Sequence, residues 1–135
     1  MKKVILIFAS LFLFYSCLNN DDNRINFTYE LLPIDAVTAP ASFTFGEKDT
    51  LKLKYSLKNG CSSFDGIHYE YQDTTRIVAV RALVALNDIC TQEIIQNDYN
   101  LIVTATQEED YVFKFYKGKD NNGENIFEEV VVPVN

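Results

Sequence analysis

The sequence has no tryptophan, one histidine and one methionine, with only five glycines and three prolines in 135 residues. A single histidine, His68, leaves too few ligands for a zinc site, and any Ser–His or Cys–His nucleophilic pair would have to use it. No Gly-x-Ser-x-Gly elbow accompanies it, and no glycine-rich phosphate loop is present. His68 falls between Ile67 and Tyr69 on the polar side of a predicted strand, which makes it a surface or rim residue. Without tryptophan, sugar stacking loses its best ring. Cations are scarce as well. Twelve Lys and Arg against nineteen Asp and Glu give a net charge of −7, which argues against nucleic acid, whose phosphates need a basic face.

What remains is an ordinary globular mixture, 47% hydrophobic and 23% charged, in a chain long enough for one core and one domain. The longest apolar run, Val4 to Phe14, follows Lys2 and Lys3 and has the form of a secretory signal. It is too short to span a bilayer, which takes roughly 20 residues. The run ends at Phe14-Tyr15-Ser16-Cys17, a small residue before a cysteine, and polarity then switches to Leu18-Asn19-Asn20-Asp21-Asp22-Asn23.

This arrangement resembles a bacterial lipoprotein signal, and the bulky Phe14 and Tyr15 match the looser form found in the Bacteroidota. The resemblance implies a signal peptide over residues 1–16, a diacylglycerol on the sulfur of Cys17, and a polar tether over 17–24 ahead of a domain at 25–135. It also implies a lipid-anchored protein of the outer membrane. Asn19 to Asp22 resembles the acidic signal that carries such lipoproteins to the cell surface, the periplasmic face being the alternative. Loss of Lys2 and Lys3 would take two positive charges from −7 and leave −9, so attachment would rest on the acyl chains.

Besides Cys17 there are two cysteines, Cys61 and Cys90, an even remainder that reads as one disulfide outside the inner membrane. If Ile67–Gln72 and Arg76–Asn87 form a hairpin around Asp73-Thr74-Thr75, paired positions sum to about 148 and Cys61 faces position 87, three residues from Cys90. The bridge then falls within the usual Cα separation of about 4.4–6.8 Å.

From residue 24 the hydrophobic period is two. Ile25, Phe27, Tyr29 and Leu31 alternate with polar residues, as do Leu51, Leu53, Tyr55 and Leu57, and Ile67, Tyr69 and Tyr71. Arg76–Leu86 is apolar on both sides, as in a central strand. Tyr99–Thr106, Tyr111–Lys117 and Ile126–Val134 complete the set, with a shorter extended piece at Ser42–Phe45. Pro33 and Pro40 bracket an edge segment or crossover, and Asn87–Asn97 is the one helical candidate, capped by Asn87 or Asp88. The predicted fold is all-β, a single antiparallel β-sandwich that resembles immunoglobulin-like domains in architecture.

Gly60-Cys61-Ser62-Ser63-Phe64-Asp65-Gly66, the later Cys90-Thr91, and Tyr111 to Gly118 with the ending Val132-Pro133-Val134 resemble a group of small flavobacterial lipoproteins. That resemblance implies an envelope location and a β-rich domain, with no assigned activity.

Aligned on a calcium loop, Asp120, Asn122 and Glu129 fall at positions three, five and twelve, but Gly118 stands at position one and the flanks are strands rather than helices. Asp49-Thr50-Leu51 and Asp73-Thr74-Thr75 resemble the Bacteroidota O-glycosylation sequence, which makes Thr50 and Thr74 candidate acceptors. The adjacent acids Glu108-Glu109-Asp110 read as a solvated turn, and Tyr55, Phe64, Tyr69, Tyr71, Tyr111 and Tyr116 as core or interface aromatics. No set of nucleophile, base or metal ligands converges, and no cofactor is expected. The expected role is a lipid-anchored binding or structural module with an outer-membrane protein as partner. A surface enzyme or inhibitor, or a calcium- or glycan-binding domain, is the alternative. An exposed apolar patch on one sheet would separate the first reading from the second.

Overall fold

The period-two pattern becomes eight strands in a computed structural model that describes residues 25–86 and 88–135. The predicted signal peptide, Cys17, the tether up to residue 24, and Asn87 with its capping role lie outside the described residues. The strands are β1 (Asn26–Leu32), β2 (Ile34–Thr38), β3 (Lys48–Leu57), β4 (Ser62–Gln72), β5 (Thr75–Leu86), β6 (Ile95–Thr104), β7 (Tyr111–Lys119) and β8 (Asn125–Val132). They form a five-stranded sheet and a three-stranded sheet packed as a β-sandwich.

In the larger sheet β4 runs along one edge of β5, while β1 and β7 share the other edge end to end, and β8 lies beyond β7. The smaller sheet has the order β2-β3-β6. Most pairs are antiparallel, but β5 and β7 run parallel over Thr75–Val78 and Val112–Phe115. The reason is topological: β6 carries the chain back through the opposite sheet, so β7 re-enters in the direction of β5. Pro33 makes the corner at which the chain leaves one sheet for the other, a place that needs no ladder N–H. The residues on either side of it, Leu32 and Ile34, are both fully buried.

The core lies between the sheets, built from Leu51 and Leu53 of β3, Val78 and Val80 of β5, and Tyr111, Phe113 and Phe115 of β7. Phe43 caps it, edge-on to Tyr111 at 5.2 Å between ring centroids. The extended piece around Phe43 is held by the C-terminal tail, with Phe43 N–H donating to Pro133 O (2.8 Å) and Asn135 N–H donating to Phe43 O (2.8 Å).

The hairpin of β4 and β5 is tighter than predicted. Gln72 pairs with Thr75 around Asp73-Thr74, with Asp73 left-handed at φ 53°, and a bulge at Asp65 shifts the register once more. Cys61 therefore faces Ala85, whose N–H donates to Cys61 O (3.0 Å), rather than position 87. The disulfide to Cys90 forms all the same, at a Cα separation of 5.2 Å.

The helix expected over Asn87–Asn97 is absent from its described part: Asp88–Ile94 is irregular and Ile95 opens β6. Tertiary partners claim the backbone groups that a helix would need. Gly60 N–H donates to Thr91 O (2.9 Å), Cys90 is bonded to Cys61, and residues from Ile95 onward pair with β3 starting at Leu57. The Asp88 carboxylate accepts from the adjacent Ile89 N–H (2.8 Å) instead of capping a turn.

Candidate interaction surface

The alternation on β1 is as clean as any in the chain, yet its apolar face points away from the core. Phe27, Tyr29 and Leu31 pair with Ala85, Leu83 and Arg81 on the outer side of the large sheet, while Thr28 and Glu30 take the inner phase. Phe27 is 54% exposed and Tyr29 66%. The strip continues across the sheet through Ala79 and Ile77 to Tyr116 on β7 and Phe127 and Val131 on β8. A hollow of about 140 Å³ lies at its middle, bounded by Leu31, His68, Ile77, Tyr116 and Phe127 among others. The charged side chains on this face are Arg81, paired with Asp65, Glu70, whose carboxylate lies 3.5 Å from His68 Nε2, and Lys114 with Glu129 opposite it on β8. His68 thus sits at the rim of an apolar strip.

The strip reaches the end of the domain from which the N-terminal segment departs. Asn26 pairs with Leu86 there, and the Cys61–Cys90 bridge holds the next loop beside it. Ile25, Leu86 and Ile94 are exposed at that pole, and Ile89 is 99% exposed. Exposed aromatic and aliphatic side chains thus gather on one sheet face and at one pole, the kind of grouping that marks interaction sites.

The opposite face is different in kind. Lys48, Lys52 and Lys54 alternate along β3 and point to solvent, with Asp98 and Asn100 across the ladder on β6. Among the described residues none of the three lysines is ion-paired. A shallow depression of about 350 Å³ lies between Lys52, Lys54, Ala36 and Thr38.

The other sequence-predicted positions are not brought together. Asp120 Oδ1 accepts the backbone N–H groups of Asn122 (2.8 Å) and Glu124 (2.9 Å), closing a tight turn, while Glu129 stands on β8 opposite Lys114. No cluster of three metal-ligating side chains occurs among the described residues. Thr74 is exposed in the β4–β5 turn, and Thr50 is half-buried near the start of β3. Glu108, Glu109 and Asp110 are exposed in the turn before β7. Of the aromatics, Tyr55, Tyr111 and Tyr116 are buried, Tyr69 is half-buried, and Tyr71 and Phe64 are exposed.

A family model described as the ORF11 beta-sandwich domain matches residues 51–132, more than half of the chain. The chain belongs to this family. The matched segment begins inside β3 and ends with β8, so in this ORF11 beta-sandwich domain β1 and β2 lie N-terminal to the match, and β1 carries the most exposed part of the apolar strip. No curated protein and no solved structure matched the chain.

Two features escaped sequence reasoning. Alternation reports that a strand has an apolar face but not which side of the sheet it lies on, so the outward phase of β1 was hidden. Arg76 opens a segment that reads as an apolar strand, yet it is a buried charge in the inward phase of β5. A lone arginine in register with Val78 and Val80 was the available signal.

Proposed function

We propose that this protein is a lipid-anchored interaction module of the cell envelope, tethered through Cys17 to the outer membrane and docking the outer face of its large sheet onto an integral outer-membrane protein. The observation that carries the reading is the outward-facing apolar strip on β1, β5, β7 and β8. What it meets follows from where the chain leads. Residues 18–24 separate Cys17 from the domain, and seven residues reach at most about 25 Å. A domain on so short a leash meets membrane-resident partners, and β1 follows the leash directly. The face suits a protein surface, because its aromatic and aliphatic side chains match the composition of interface cores. Catalysis has no place in this reading, and Thr50 and Thr74 remain candidates for O-glycosylation.

The test is co-purification from native membranes in mild detergent, comparing wild type with Phe27→Asp/Tyr29→Asp, and mass spectrometry of the Cys17 peptide. The expected result is one integral membrane protein recovered with wild type and depleted at least about tenfold with the variant, and an acylated Cys17. Both side chains are exposed, so the variant should melt as wild type does. Equal recovery with both proteins rejects the docking face, and an unmodified Cys17 rejects the anchor.

A further inference from the structure

At the pole opposite the tether, Arg76 sits in the inward phase of β5, across from Tyr71 on β4 and beside Phe113 on β7. It is only 5% exposed, and no carboxylate pairs with it among the described residues. A charge so placed needs compensation. Nη1 donates to Asp73 O (2.7 Å) and Thr75 O (3.0 Å), and Nη2 donates to Gln107 Oε1 (2.6 Å). The Tyr71 and Tyr111 rings lie against the guanidinium, with centroids 4.4 and 5.1 Å from Cζ. Gln107 is itself fixed, its Nε2 donating to Glu109 O and Asp110 O (both 3.2 Å), which aims its oxygen at Arg76.

A guanidinium has five N–H donors. Three are placed here. Nε–H is among the donors left, and the edge of the plane that it shares with the neighbouring Nη2 has the spacing of the two oxygens of a carboxylate. Nε is buried and has no hydrogen-bond partner among the described residues. Arg76 lines a cavity of about 250 Å³, shared with Tyr69, Tyr71, Ile102, Thr104 and Tyr111 and open to solvent beside the exposed Tyr71 and Ile102. That volume suits a group the size of a phenyl or branched alkyl chain.

We propose that Arg76 and the tyrosines around it form a binding site for a monocarboxylate, which lays its oxygens on the Nε edge of the guanidinium and its apolar body in the cavity. The site is independent of the anchor and of the apolar strip. Burial pushes the Tyr69 hydroxyl up to about 12, with the charge of Arg76 and a side-chain hydrogen bond to it pulling the other way, so the phenol stays neutral beside the guanidinium. Glu108, Glu109 and Asp110 stand exposed in the adjoining turn and disfavour phosphate and other multiply charged anions. The carboxylate belongs either to a free small acid or to the C-terminus of a polypeptide.

The side-chain Nε–H of Arg76 can be followed directly by ¹⁵N NMR on the full-length protein, whose other arginines are Arg24 and Arg81. The probes are 3-phenylpropionate, a short peptide ending in Val-Phe with a free carboxylate, the same peptide amidated, and inorganic phosphate. The free acids should shift the Arg76 resonance saturably with a Kd of about 1 mM or tighter, and the amide should not. Tighter binding of the peptide identifies a polypeptide C-terminus, and tighter binding of phenylpropionate identifies a small acid. Arg76→Lys keeps the charge, lacks the planar edge and should abolish binding, read by calorimetry. Gln107→Glu leaves Arg76 in place but supplies an internal carboxylate, and should weaken binding at least about tenfold. No saturable shift, an equal response to the amide, phosphate binding as tight as that of the acids, or unchanged affinity in Gln107→Glu would overturn the proposal.

Discussion

Tyr69 shows at the residue scale how burial converts into pH dependence. Its hydroxyl is pushed from 10 up to about 12, first by loss of water and then by its tyrosine neighbours, with Arg76 pulling the other way. The group is neutral when protonated, so an elevated pKa in the folded state means that the unfolded chain gives up its proton first. Stability from this site is intact below pH 10 and falls as pH rises from 10 towards about 12. Urea unfolding across that interval should show a declining midpoint, and Tyr69→Phe should flatten the decline. An identical slope in the variant would assign the effect to other tyrosines.

Among the elements, the segment joining β5 to β6 carries the clearest lesson. Its composition, Asp88 followed by Ile89, Ile94 and Ile95, reads as a capped amphipathic turn, and local propensity alone would allow one. The disulfide and the Gly60–Thr91 contact are long-range facts that no window of sequence contains, and they override it. By contrast, the phase of β3 was legible, because Leu51, Leu53, Tyr55 and Leu57 alternate with lysines that must stay wet, although the strand begins three residues before Leu51, at Lys48. The parallel β5–β7 pair and the outward phase of β1 were not legible, since both depend on which sheet lies where. The bridge itself closes a long loop, and on the chain-entropy model it contributes about 3.6 kcal/mol. Cys61→Ser/Cys90→Ser should therefore lower the urea midpoint by about 2 M, given a slope near 2 kcal/mol per M. A shift below about 0.5 M would place the stabilisation of this pole in the strands rather than the bridge.

The whole molecule is polarised in two directions. Across the sandwich, an apolar sheet face opposes a lysine face; along it, a pole of exposed isoleucines opposes a pole with Arg76 and the acidic turn. If the isoleucine pole lies nearest the bilayer, as the tether proposal requires, a reporter there should sense lipid. The chain has no tryptophan, so Ile89→Trp in full-length protein reconstituted into phosphatidylethanolamine vesicles gives an unobstructed signal. Brominated acyl chains should quench it and leave Glu109→Trp at the other pole unaffected; equal quenching of the two would reject that orientation. The placement of β1 has a mechanical side as well. Under a pull directed along the axis of β1, the seven paired positions from Asn26–Leu86 to Leu32–Val80 share the load in shear. They would have to slip together rather than peel one at a time, and the Pro33 corner passes whatever force remains to the opposite sheet through β2 and β3.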